Sequence, residues 1–221
     1  MAIVRVTAFL LLATLSLGCA AAPFAVRLGA ERIALDTPPG FADTLDLASP
    51  RLQELAEALT SASNRILLFA LTDADLRRFT LGDTLDLRRY LLVATPRAME
   101  RERMGPEEFK TFAAASLRGI GTAAEPADIR KHLDALPQGQ ASLLWELRRT
   151  PEIVSVFQGT RMPIKPNAKP VYLLTTTTLL LLRGKAFIVS AFAGYNDDTD
   201  AEWLRAATLR WVEDLLRLNL R

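Results

Sequence analysis

Apolar and polar positions along the chain follow two rhythms, and the changes between them lay out the elements. In "ERIALDTPPGFADT", Ile33 and Leu35 alternate with polar neighbours, which predicts a short strand ended by Pro38, Pro39 and Gly40. In "SPRLQELAEALTSASN", Leu52, Leu55, Ala56 and Leu59 fall on one helical face. Ser49 suits the N-cap and Pro50 the first helical position, where its missing N–H costs nothing. "RILLFAL" reads as a buried strand. "TDADLRRFTLGDTL" reads as the connection to a second strand, "DLRRYLLVATP", which ends before Pro96. Pro106 opens another helix, with Glu107 and Glu108 in its first turn and Phe109, Phe112, Ala113 and Leu117 facing inward. A shorter helix in "PADIRKHLDAL" stops at Pro137.

The second half begins ambiguously. In "QASLLWELRRTPEIVSVFQGTRMP", residues 141–148 read as irregular or briefly helical and residues 153–162 as a strand. "MPIKPNAKP" is a loop, because its prolines are too closely spaced for a helix or central strand. "VYLLTTTTLLLLRGKAFIVSAFAGY" predicts two long strands joined at Arg183-Gly184-Lys185. Leu179 to Leu182 are apolar on both faces of a strand, as in a sheet covered on both sides. The terminal helix places Leu204, Ala207, Trp211, Leu215 and Leu218 on one face, flanked by Trp203 and Val212. It is expected to pack across the hairpin, with Leu180, Leu182, Ile188 and Phe192 buried beneath Trp211 and Leu215. The expected class is α+β: a mainly antiparallel sheet with helices on both faces, in one domain over residues 31–221.

The N-terminus has a different character. "MAIVRVTAFLLLATLSLGCAAAP" has a short basic region at Arg5 and an apolar run of about a dozen residues from Val6 to Leu17. A spanning helix needs about 20 apolar residues, so an export signal fits better than a membrane span. Cys19, the single cysteine, sits directly behind this run, and "SLGC" resembles the lipobox of bacterial lipoproteins. Two outcomes stay open. Cys19 becomes the lipidated first residue after a signal peptide over residues 1–18, with residues 19–30 as a tether. Alternatively, ordinary cleavage within "GCAAAP" releases a soluble periplasmic protein. Ala20 after the cysteine favours the outer membrane. Either way the expected location is the periplasmic side of the envelope. One cysteine allows no intramolecular disulfide.

Charge narrows the partners. Twenty-seven Lys and Arg stand against 25 Asp and Glu, so no global field favours nucleic acid. A hydrophobic share of 50% excludes wholesale disorder. Basic residues recur as pairs, Arg77-Arg78 and Arg88-Arg89, and as the self-neutralising "RAMERERM".

Motifs for chemistry are sparse. Asp197, Asp198 and Asp200 lack the spacing of a calcium loop, and Thr199 with Glu202 matches a helix capping box instead. His132 is the single histidine, without the partners of a zinc site or the G-x-S-x-G elbow of a serine hydrolase. "RGIGTAAE" lacks the third glycine of a dinucleotide loop. The expectation is a non-enzymatic protein with no metal or cofactor, binding an envelope protein or small ligand. A carboxylate-dependent envelope hydrolase is the alternative, since carboxylates are plentiful. The expected binding residues lie in loops: Lys165 and Lys169 in "MPIKPNAKP", and Arg77, Arg78, Arg88 and Arg89 between the first two core strands.

"ALDTPPGFAD" near the start, and "LLLLRGKAFIVSAFA" leading into "AEWLRAATLRWVEDLLRLN" at the end, resemble the PsbP-like α/β sandwich superfamily, which includes PsbP and the DcrB-like bacterial lipoproteins. The resemblance covers the two ends of the chain and leaves out roughly residues 97–150. It implies an antiparallel sheet with helices on both faces and a binding or assembly role, and it supplies no site residues.

Overall fold

The computed structural model describes residues 23–165 and 168–220. A hairpin of β1 (Phe24–Leu28) and β2 (Glu31–Leu35) comes first. β3 (Phe41–Asp43), α1 (Pro50–Ala58), β4 (Asn64–Thr72), α2 (Asp73–Thr80) and β5 (Arg89–Pro96) follow. Next are α3 (Pro106–Ser116), α4 (Ile129–Asp134), β6 (Ala141–Thr150), β7 (Ile153–Arg161), β8 (Tyr172–Leu182), β9 (Lys185–Gly194) and α5 (Asp198–Asn219). Strands β3 to β9 form one sheet in the order β3-β4-β5-β9-β8-β7-β6, antiparallel throughout. Each new strand pairs with its predecessor except at the centre, where β9 joins β5. This is the expected α+β sandwich.

Both faces of the sheet are covered. On one face α5 lays Leu204, Trp211, Val212 and Leu215 against Leu174, Leu180, Phe187 and Val189, with Ile129 and Leu133 of α4 in the same cluster. The β1–β2 hairpin closes this layer with Leu28, Ile33 and Leu35. It is tied to α5 by polar bonds: Asn219 accepts from the Ala34 N–H at 2.9 Å and donates to the Ala34 carbonyl at 2.8 Å. The Trp211 indole N–H donates to the Asp36 carbonyl at 2.8 Å. On the other face α1 covers Phe69, Leu71 and Leu92, and α3 covers Val154, Leu179 and Leu181 through Phe109 and Ala113. Burial along β8 follows from this cover. Leu179 to Leu182 are buried on both faces, while Leu173, Thr175 and Thr177 are half-exposed where the sheet is open between the helices.

The hairpin turn is set by two residues, Arg183 (φ 51) and Gly184 (φ 76). Both have positive φ, the conformation that lets a two-residue turn follow the twist of its strands. Lys185, expected in the turn, is the first residue of β9.

Several expectations change. Residues 141–148 belong to strand β6, not an irregular or helical segment; two register shifts in its pairing with β7 break the two-residue alternation that marks a strand. Residues 73–80, read as a connection, form α2; its signal is Thr72 followed by Asp75, since the Thr72 hydroxyl accepts the Asp75 N–H at 3.1 Å. The N-cap of α5 is Asp197, accepting from the Thr199 N–H at 2.9 Å, and Thr199 lies inside the helix. Residues 24–28, assigned to a tether, form strand β1. Phe192 is buried, but in the cluster under α1 rather than the one under Trp211, and Ile188 is half-buried beside α3.

Candidate functional site

One end of the sheet gathers most of the residues expected to bind. β4, β7 and β9 end there, and β5 and β8 begin there. The loop holding Lys165 and Lys169 leaves β7 and enters β8 at this end, and Arg88-Arg89 open β5. β5 and β8 are separated by β9 alone, so the two segments start roughly 10 Å apart, two strand spacings.

Beside β5 lies a hollow of about 350 Å³ lined by Thr72, Asp75, Arg78, Asp86, Arg88, Arg89 and Asp200, among others. Its frame is a carboxylate shared by two guanidiniums. Arg88 donates through Nη2 to both Asp200 oxygens, at 3.0 and 3.1 Å, and Arg89 donates to Oδ1 at 3.2 Å. The Asn196 N–H adds a fourth bond at 3.0 Å. Asp200 is 1% exposed, while Arg88 is 47% and Arg89 32% exposed. Burial alone would raise the Asp200 carboxyl. The Asn196 N–H and the two guanidiniums outweigh it and hold the group below the usual carboxylate range. Arg89 also lies 4.0 Å from the centre of the Trp203 ring, which stacks on Phe41. Asp75 is equally committed: it accepts from the Asp86 N–H at 2.8 Å and the Thr72 hydroxyl at 3.0 Å. The third carboxylate of the lining, Asp86, is exposed. Arg78 is exposed and in no ion pair among the described residues.

A second cluster flanks this hollow across residues 195–200. Arg130 lies 5.4 Å from the Tyr172 ring and 5.2 Å from the Tyr195 ring, and donates to the Asn196 carbonyl. Tyr195 donates to Asp198 at 2.8 Å, and Tyr172 donates to Asp134. Burial first, and then Asp198, push the Tyr195 hydroxyl up to about 12, and burial first, and then Asp134, raise Tyr172, so both phenols stay protonated donors at neutral pH. Arg161 closes the cluster by donating to the Asp134 and Leu136 carbonyls.

The residues singled out in the sequence therefore separate. Arg88 and Arg89 build the hollow and Arg78 lines it. Arg77 is exposed on α2 without lining it. Lys165 and Lys169 are exposed on the neighbouring loop. Cys19 lies outside the described residues. The three aspartates once compared with a calcium loop have separate tasks: Asp197 caps α5, Asp198 holds Tyr195, and Asp200 holds the arginines. His132 Nε2 is 2.9 Å from the Ser142 hydroxyl, joining α4 to β6, and no carboxylate bonds to it among the described residues. The two aspartates that burial pushes upward, Asp36 and Asp43, do not line the hollow. Sequence reading missed Asp75, Asp200 and Trp203 as its framework. Only the Thr72–Asp75 spacing signalled any of them.

No protein-family model and no curated protein matches the chain. Among solved structures, the crystal structure of the Saccharomyces cerevisiae Ran-binding protein Mog1p is similar, with a TM-score of 0.38 and 14% identity over 90% of this chain and 93% of that one. This is a weak likeness of shape, and nothing about function rests on it.

Proposed function

We propose that the chain is an exported, lipid-anchored envelope protein that binds a partner through the charged end of its sheet and catalyses no reaction. Anchoring is supported by the apolar run from Val6 to Leu17 followed by Gly18-Cys19. A triacylated lipoprotein cysteine carries more than one chain, the condition for stable membrane attachment. The resemblance to the PsbP-like superfamily, with its DcrB-like lipoproteins, agrees with this reading.

The observation that carries the binding role is the state of the carboxylates in the hollow. A hydrolase built on carboxylates needs a pair of them converging on the substrate. Of the three carboxylates lining the hollow, Asp200 is held ionised between two arginines and Asp75 is taken by the Thr72 hydroxyl and the Asp86 N–H, which leaves Asp86 without a second carboxylate to work with. What remains available is mainly cationic: Arg78, the exposed flank of Arg88, Lys165 and Lys169 stand beside one exposed carboxylate, Asp86. Such a surface suits an acidic patch on another envelope protein or a small anionic ligand. The test is crosslinking and recovery of partners from the native envelope, comparing the chain with a variant carrying Arg78→Ala, Lys165→Ala and Lys169→Ala. The triple variant is expected to lose a specific partner several-fold while remaining folded. Equal recovery from both would refute the assignment of this surface.

A further inference from the structure

The outer face of the β1–β2 hairpin carries an arrangement that folding alone disfavours. Arg27 and Arg32 are direct cross-strand partners. Both are exposed, and neither belongs to an ion pair among the described residues. Like charges placed directly opposite are destabilising. Their orientation is imposed from below, because Val26, Leu28, Ile33 and Leu35 take the inward positions of the same two strands.

More positive charge surrounds this pair. The hairpin turn at Gly29 (φ 57) packs on the backbone of Glu100 and Arg101. Arg103 and Arg183 lie 3.9 and 4.0 Å from the Glu31 carboxylate, and Arg183 donates to the Arg32 carbonyl at 3.2 Å. Beneath them Lys185 is buried and donates to the Glu100 and Glu102 carbonyls. Glu100 is taken by Arg65 at 3.0 Å. Arg101, Arg103 and Arg183 are thus exposed beside the turn of the hairpin, while Arg27 and Arg32 on its outer face stay outside any ion pair among the described residues.

We propose that this arginine face rests on the anionic phospholipid headgroups of the membrane that holds the anchor. The proposal builds on the lipid-anchored reading above. Cys19 and Phe24 are five residues apart, which spans at most about 17 Å. Arg27 lies about 10 Å further along the strand. The anchor therefore delivers this hairpin, before any other element, to the membrane surface. Arginine pairs with phosphate through two parallel bonds, and a headgroup phosphate between Arg27 and Arg32 relieves their mutual repulsion. The adjacent outer pair, Ala25 and Ala34, is small and lets the hairpin lie close.

The experiment uses the exported full chain carrying Cys19→Ala, so that no acyl chain contributes, with unilamellar vesicles of phosphatidylcholine alone or with one third phosphatidylglycerol. Cosedimentation is compared for this chain, for the same chain with Arg27→Gln and Arg32→Gln, and for one with Lys110→Gln and Arg118→Gln on α3 and just beyond it. The parent is expected to prefer the anionic vesicles. The Arg27/Arg32 variant is expected to partition about 30-fold more weakly, at about 1 kcal/mol per basic residue and 1.4 kcal/mol per tenfold. It should also melt no lower than the parent, since it loses a repulsive pair. The Lys110/Arg118 variant should bind like the parent. Equal binding to both vesicle types, an unaffected Arg27/Arg32 variant, or an equal loss in the Lys110/Arg118 variant each overturns the proposal. Lipidation is read separately, from the mass of the native N-terminus, so failure of the anchor and failure of the arginine face are distinguishable.

Discussion

Replacing Asp200 with Asn tests the framework of the charged hollow. The side chain keeps its shape and loses its charge. In the native protein, Oδ2 accepts from the Asn196 N–H and from Arg88, while Oδ1 accepts from Arg88 and Arg89. An amide must turn its NH₂ toward one of these two sets of donors, so at least two bonds are lost whichever way it faces. Hydrogen bonds to a charged group contribute about 1.5–3 kcal/mol each. The guanidiniums are 47% and 32% exposed, so water recovers part of that loss. The net cost is about 3 kcal/mol, which lowers the melting temperature of a chain this size by roughly 6–12 °C. The sign of the pH dependence is specific. The Asp200 carboxyl is depressed in the folded state, so its stabilisation is complete above the unfolded value of about 3.9 and fades as pH falls through the folded one. Thermal denaturation at about pH 7 and about pH 2.5 should show a large gap between wild type and Asp200→Asn at the first and a much smaller gap at the second. A variant that melts within a degree of wild type at neutral pH, or a gap that persists unchanged in acid, would falsify the ion-pair account.

Trp211→Ala removes a buried side chain that joins α5 to the sheet and bonds the Asp36 carbonyl. It should cost about 3–5 kcal/mol in denaturant unfolding, and a midpoint close to wild type would make α5 peripheral. Asn219→Ala removes both bonds that hold Ala34; hydrogen exchange should accelerate at the β1–β2 amides while the β8–β9 amides stay protected. Gly159→Ala places a methyl 2.7 Å from Leu133 Cδ2 and 3.1 Å from Leu144 Cδ1. It should destabilise by about 1–3 kcal/mol, and an unchanged Tm would mean that α4 shifts freely on β7.

Much of the fold was legible in the sequence because its strongest signals are local. The run Leu179–Leu182, apolar at every position and preceded by four β-branched threonines, reads as a strand covered on both sides, and Arg183-Gly184 supplies the turn that returns it. α5 was legible from Leu204, Trp211 and Leu215 at helical spacing. β6 was not, because its two register shifts put Leu143 and Leu144 side by side in the apolar pattern. α2 offers only Leu76 and Phe79 as large apolar residues, too few to reveal a helical period. The site was half legible. Arg88 and Arg89 stand out as a basic pair, but Asp200 is 112 residues from Arg88 along the chain, and nothing local in "NDDTDAEW" distinguishes it from its capping neighbours. Its contact with Arg88 exists only because β5 and β9 meet at the centre of the sheet.

The most direct test of the proposed function is intact-mass analysis of the mature N-terminus, purified from membranes of a bacterium that exports the chain. Anchoring predicts that the mature protein begins at Cys19, carries acyl chains, and leaves the membrane fraction when Cys19 is replaced by Ala. An unmodified terminus at Ala20, Ala21, Ala22 or beyond, with wild type and Cys19→Ala both soluble, would contradict it.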